Sequence, residues 1–101
     1  MVIERLVFRA RFGQGDQVAA AFRTWQEQFT ARLGLSARVM VDLTGAMFTV
    51  VVESEYRDMA HVAEIADQLQ TLFGEGEFQQ WFNSWQGAVE SGSRELYRVV
   101  A

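Results

Sequence analysis

His61 is the single histidine of the chain, and histidine is the side chain type best suited to moving protons near neutrality. It falls on a helical stretch, on the flank shared with Ile65 and Leu72. There it could serve as a general base or as a haem ligand at the mouth of a cleft between helices and sheet. A histidine at such a place also serves as an ordinary boundary residue, packed against the next helix or solvated. Tyr56, Asn83 and Tyr97 are further polar groups that could orient a ligand, and Trp25 and Trp81 offer flat apolar surface. The candidate ligand-binding set is therefore Trp25, Tyr56, His61, Trp81, Asn83 and Tyr97, with His61 the catalytic candidate. The wider aromatic set Phe22, Trp25, Phe29, Phe78, Trp81, Phe82 and Trp85 would suit a pocket for a flat organic molecule. The same residues recur at helical spacing, and that period alone accounts for them as core.

Composition closes off other chemistries. The 101 residues include no Cys, and all nine basic residues are Arg. Thiolate nucleophiles, disulfides and Cys-ligated metals are excluded, as are lysine Schiff bases and the lysine of a phosphate-binding loop. One His and no Asp-x-Asp-x loop leave scattered carboxylates, so neither a metal nor another cofactor is expected. Gly13-x-Gly15 lies between a strand and a helix, but Val18 occupies the third glycine position and Asp16 stands where a phosphate would dock. A negative charge there repels a phosphate, so the segment is a plain turn. Nine basic against thirteen acidic residues, net −4, lack the cationic footprint of a nucleic-acid binder. Glu4 and Arg5 interrupt the first apolar stretch, and no apolar run approaches the ~18 residues of a membrane span. A cytoplasmic protein, bound to neither nucleic acid nor membrane, is the default expectation.

The elements that must position these residues are legible from period. Val2 to Phe12 alternates, with Val2, Leu6, Phe8, Ala10 and Phe12 on one face and Glu4 the exception among them. After the Gly13–Asp16 break, with Asp16 as the expected N-cap, Val18, Phe22, Trp25, Phe29 and Leu33 mark an amphipathic helix that Gly34 closes. Ser36 to Asp42 alternates again, Asp42-Leu43-Thr44-Gly45 is the expected hairpin turn, and Ala46 to Glu53 has the β-branched character of a central strand. Ser54 is the expected cap of a second helix, whose stripe is Met59, Val62, Ala63, Ala66, Leu69 and Phe73. Gly74-Glu75-Gly76 precedes a shorter helix carrying Phe78, Trp81, Phe82, Trp85 and Val89, which Gly92 is expected to end. Arg94 to Val100 is the expected last strand. Right-handed crossovers then place the first and third strands at the centre of a four-stranded antiparallel sheet, helices on one face. The fold class is α+β, ferredoxin-like βαββαβ with an extra short helix before the last strand, and residues 1–101 are expected to form a single domain.

The other sheet face carries Ile3, Val7, Met40, Met47 and Val51 among Arg5, Arg9, Arg38, Asp42, Thr49 and Glu53, plus either the Leu96 or the Tyr97 set. It is too apolar for an ordinary solvated surface and too charged for a core. A homodimer through this face would bury the apolar members and let the charges pair.

On Val39-Met-Val-Asp-Leu-Thr-Gly45 running into Phe48-Thr-Val-Val-Val52, then Glu77-Phe-Gln-Gln-Trp-Phe82 and Val89-Glu-Ser-Gly-Ser-Arg-Glu-Leu-Tyr-Arg-Val99, the chain resembles the dimeric α/β-barrel superfamily, in particular its small NIPSNAP-like members. The resemblance spans essentially the whole chain and implies a dimeric α/β barrel. Families of this kind include cofactor-free monooxygenases, haem-degrading enzymes, muconolactone-type isomerases and polyketide cyclases. The haem-degrading families use an Asn on the first strand, a Trp and a helical His. Here the first strand has no Asn, the only Asn is Asn83, and the tryptophans lie on helices, so haem degradation is not implied. Haem binding without degradation stays open as a third possibility behind two leading functions. One is a homodimeric domain that binds a small hydrophobic or aromatic molecule between sheet and helices. The other is a cofactor-free oxygenase or isomerase in which His61 removes a proton from a small aromatic or polyketide-like substrate.

Overall fold

A computed structural model describes all residues, Met1–Ala101. Its sheet has the order β2-β3-β1-β4, built from β1 (Val2–Ala10), β2 (Ser36–Val41), β3 (Thr49–Tyr56) and β4 (Val89–Arg98), and every neighbouring pair is antiparallel. The order puts β1 and β3 in the middle, as the right-handed crossovers require. Three helical segments cover one face. The first, α1, is α-helical over Gly15–Thr24, π-helical over Trp25–Thr30 and α-helical again over Ala31–Leu33. The others are α2 (Met59–Phe73) and α3 (Gly76–Trp85). The architecture is the expected ferredoxin-like βαββαβ with its extra helix.

The expected barrel is corrected. The sheet is open, with β2 and β4 as free edges. Four twisted strands do not curl far enough for their edges to meet, since closure links strand number, tilt and stagger.

Several local boundaries also differ, each for a physical reason. Gln14 holds the N-cap position of α1 and makes no side-chain cap bond, while Asp16 sits in the first turn, where its charge still meets the positive helix end. Ser54 is a strand residue, and the cap of α2 is Asp58, whose Oδ1 accepts from the His61 N–H at 2.8 Å. The β2–β3 connection is longer than a tight hairpin. Asp42 Oδ1 accepts from the Thr49 N–H at 2.9 Å and so closes the loop, leaving Met47 in the connection. Gly34 does end α1 in the left-handed region, at φ +68°, where only glycine avoids a steric cost.

Gly92 lies inside β4, opposite Phe8. A β-carbon there would come within 3.0 Å of Phe8 Cδ1. The Phe8 ring is itself held by Phe22 at 4.9 Å and Trp85 at 5.4 Å between centroids. The missing side chain is thus the space into which Phe8 fits, which is why a glycine sits mid-strand at an entropic cost. Gly92→Ala should overpack this contact and lower the unfolding free energy by about 1–3 kcal/mol. Denaturant titration measures it, and an unchanged midpoint and slope would show that Phe8 yields freely.

Candidate functional site

β1 and β3 turn Glu4, Leu6, Phe8, Val52, Ser54 and Tyr56 toward the helices, because side chains alternate along a strand and cross-strand partners share a face. The helices answer with large rings. Phe22 and Trp25 come from α1, Phe78, Trp81, Phe82 and Trp85 from α3, and Phe73 from the end of α2. These rings pack on one another in tilted and edge-to-face pairs. Trp81 lies 5.0 Å from Trp25, 5.3 Å from Phe22 and 5.3 Å from Trp85, the separations that aromatic quadrupoles favour.

Two features hold this layer in place. The Trp81 indole N–H donates to the Ala21 carbonyl at 2.6 Å, just before α1 widens into its π-helical segment. The wider turn carries Trp25 and Phe29, which face Trp81 at 5.0 and 5.7 Å. π-helical turns are rare and recur at functional sites. At the far end Arg32 donates to both Glu75 oxygens, at 3.1 and 2.9 Å, tying α1 to the α2–α3 junction. That contact holds the Glu75 carboxyl below its ordinary range and raises Arg32, each chiefly through the shared hydrogen bond.

Between sheet and helices a cavity of about 330 Å³ remains, lined by 19 residues of which 15 are apolar. Its polar members are Glu4, Ser54, Gln70 and Arg94, with the Tyr56 phenol beside them. Glu4 is 8% exposed. Its Oε2 accepts from Arg94 Nε at 2.7 Å, while the rest of the Arg94 side chain reaches solvent. A buried carboxylate needs such a partner, since desolvation otherwise makes its charge untenable. The pair stands at one end of a lining that is otherwise aromatic and aliphatic. Burial, reinforced by the Glu4 charge and partly opposed by Arg94, pushes the Tyr56 phenol up to about 12. Tyr56 is therefore a neutral hydroxyl across the physiological range.

The candidates from the sequence divide. Trp25, Tyr56 and Trp81 line the cavity. His61, Asn83 and Tyr97 are not among its lining residues. His61 is buried at the start of α2, where its Nδ1 accepts from the Arg57 N–H at 3.1 Å and its ring meets Tyr56 edge-on at 5.5 Å. It satisfies backbone at the helix start. Asn83 is exposed on α3 and accepts from Gln86 Nε2 at 3.1 Å. Tyr97 pairs with Ile3 on the opposite sheet face. Glu4, Ser54, Gln70 and Arg94 are the polar members that sequence reasoning missed. The signal was present in Glu4, the one polar residue on the inward face of β1. Reading Ser54 as a helix cap hid the second, which the register places directly across from Glu4. No group of three or more His, Asp or Glu side chains is arranged to hold a metal ion, and no helix is long and apolar enough to cross a membrane.

Comparison with solved structures gives full-length matches. A NIPSNAP domain protein from Burkholderia xenovorans superposes with a TM-score of 0.76 at 16% identity, covering 100% of this chain and 96% of that one. A NIPSNAP family protein from Agrobacterium tumefaciens gives 0.78 at 14% identity, covering 96% and 86%. The fold is NIPSNAP-like. An antibiotic biosynthesis monooxygenase shares it as well, with a TM-score of 0.69 at 16% identity over 100% of both chains. No protein-family model matches the sequence, and no curated protein matches it significantly.

Ionising Tyr56 in the fold is harder than ionising it in the unfolded chain, because its folded value of about 12 exceeds the ordinary 10.0. The stabilisation is whole below pH ~10 and is lost as pH rises toward ~12, on the order of 2 kcal/mol. The chain has no Lys to titrate in that window. Tyr56→Phe should therefore flatten the alkaline fall in unfolding free energy, and absorbance near 295 nm should show one phenol ionising late. An unchanged alkaline profile in the variant would contradict the assignment.

Proposed function

We propose that this NIPSNAP-like chain binds a small, flat, largely apolar molecule in the cavity between helices and sheet. The observation that carries this is a hollow of about 330 Å³, lined mostly by apolar residues, with a few polar groups gathered around Glu4. That combination of size, apolar lining and few polar groups is typical of ligand sites. A well-packed interior of this size leaves few voids larger than a water, so a hollow this large is a feature to explain. Its rims include Ala66 and Gln70 on α2, both exposed, and Arg94 on β4. A ligand could enter between them.

The likeness to an antibiotic biosynthesis monooxygenase gives the second reading, cofactor-free oxidation or isomerisation of a small aromatic substrate. With His61 engaged by the Arg57 N–H, the polar groups on the cavity wall that could move a proton in such a reaction are Glu4 and Tyr56. Binding is the better-supported function, because the hollow and its apolar lining favour it directly.

All three tryptophans line the cavity, so occupancy should be visible in intrinsic fluorescence. Naphthalene, a rigid bicyclic probe, should shift the tryptophan emission and raise the melting temperature, since a ligand selective for the folded form stabilises it. Ala66→Phe, which places a ring at the rim, should abolish both effects while leaving far-UV circular dichroism intact. Failure of naphthalene and of its hydroxyl, carboxylate and ammonium derivatives to move either signal in the parent protein would remove the cavity as a binding site.

The partner proposed for the open sheet face is a second copy of the chain. One row across the sheet reads Arg38, Glu53, Arg5, Glu95. Arg38 pairs with Glu53, and Arg5 lies 3.8 Å from Glu53 and 3.9 Å from Glu95. The next row is Met40, Val51, Val7 and Ser93, and Ile3 and Tyr97 stand on the other side of the charged row. The alternating charges are self-complementary under a two-fold axis parallel to the strands, which sets Arg38 over Glu95 and Glu53 over Arg5. Light scattering at micromolar concentration should report a dimer, and Val7→Glu with Val51→Glu should shift it to a monomer of unchanged helix and strand content. A stable monomer for the parent chain in ordinary salt would refute this pairing.

A further inference from the structure

The cavity is not uniform, and its asymmetry narrows the chemistry of what fills it. Around Phe8 the lining is made of rings, and its one unengaged polar atom is the buried Trp85 indole N–H. At the other end Glu4 and Ser54 stand directly opposite each other on β1 and β3, with Tyr56 beside them and Arg94 entering from β4. The single hydrogen bond that Glu4 accepts engages Oε2, through Arg94 Nε at 2.7 Å, so Oε1 remains for another donor. Arg94 already neutralises Glu4, and this end of the cavity therefore carries no net charge to attract an ion.

Three ligand types can be compared on that basis. An anion would bring a second negative charge beside a buried carboxylate, and like charges at close range in a low-dielectric site repel strongly. A cation would stand close to the Arg94 guanidinium and would lose its hydration on entry. A neutral hydroxyl meets neither cost. Its O–H can donate to Glu4 Oε1, and its oxygen can accept from the Tyr56 phenol, which stays protonated. Hydrogen bonds to charged acceptors are roughly twice as strong as neutral ones, so this end rewards a hydroxyl over a plain ring.

Building on the cavity as a binding site, we propose that its ligand is a neutral hydroxylated aromatic, a phenol or enol, bound with the hydroxyl on Glu4 and Tyr56 and the ring system among Trp25, Trp81 and Trp85. Glu4 is then the residue that sets specificity, and Arg94 is the positioning residue that holds the carboxylate in place through Oε2. The assignment concerns binding and requires no chemical step.

Four probes of one ring system test it by tryptophan fluorescence titration of the parent protein: naphthalene, 2-naphthol, 2-naphthoate and 2-naphthylmethylammonium. 2-Naphthol should bind about tenfold more tightly than naphthalene, and the two ions should bind more weakly than 2-naphthol. Glu4→Gln replaces Oε1 or Oε2 by an amide that can donate, so the 2-naphthol preference should fall and 2-naphthoate should gain affinity relative to the parent. Tyr56→Phe should reduce the 2-naphthol preference without helping 2-naphthoate. Equal binding of naphthalene and 2-naphthol overturns the hydroxyl assignment while the cavity stands as a binding site. Tighter binding of either ion than of 2-naphthol also overturns it, and binding of none of the four overturns the cavity itself. Should Glu4→Gln fail to fold, the parent series and Tyr56→Phe decide the question alone.

Discussion

The packing of rigid rings between helices and sheet governs the rest of this molecule. Phe8, Phe22, Trp25, Phe29, Phe73, Phe78, Trp81, Phe82 and Trp85 form one connected set of aromatic contacts, with centroids 4.8–6.3 Å apart. Rings brace one another at fixed separations and angles, and unlike methionine they do not bend to fill an irregular gap. Such a layer holds the helices off the sheet. The space it spans but does not fill is the cavity, and the gap at Gly92, the anchor of Trp81 on Ala21 and the π-helical turn at Trp25 are fitted to it.

The same layer explains why a charged pair can exist in the interior. Glu4 is shielded from bulk water by the surrounding side chains and would be untenable alone. Arg94 reaches it from a strand whose inward face is otherwise largely exposed, so one end of the pair is dry and the other wet. This graded setting keeps the carboxylate paired through Oε2 and leaves Oε1 without a hydrogen-bond partner. Burial in the same layer, with the Glu4 charge adding to it, raises the Tyr56 phenol and keeps its proton in place. Apolar walls, a few neutral donors and one half-engaged acceptor together describe a site that selects by hydrogen bonding within an otherwise unselective greasy volume.

The two faces of the sheet divide the work of the protein. Inward positions of β1 and β3 build the cavity, and outward positions of the same strands build a ladder of alternating charge. Because side chains alternate, Arg5 and Glu4 are neighbours in sequence yet lie on opposite faces, one in the ladder and one in the hollow. A one-residue slip of β1 would exchange them and destroy both features together. Register in this sheet is therefore set twice, by packing on one face and by charge on the other.

Period determined the order of the elements, because alternation and helical spacing are local properties of the chain, and the right-handed crossover rule added the central place of β1 and β3 and the one-sided helix layer. The same signal showed an outward face of mixed Val, Met, Arg and Glu. Side-chain type, not period, offered Trp25, Tyr56 and Trp81 as site candidates, and the fold brings their side chains to the cavity wall. Only tertiary structure decided that the sheet stays open, that Gly92 lies within β4 and that His61 serves the backbone at the start of α2. It also decided that Ser54 belongs to β3 and faces Glu4, and that Arg94 reaches Glu4 from ninety residues away in sequence. The reason is physical. A cavity and an ion pair depend on the register between distant strands and on how rigid rings fail to fill a volume, and neither quantity is carried by any short stretch of residues.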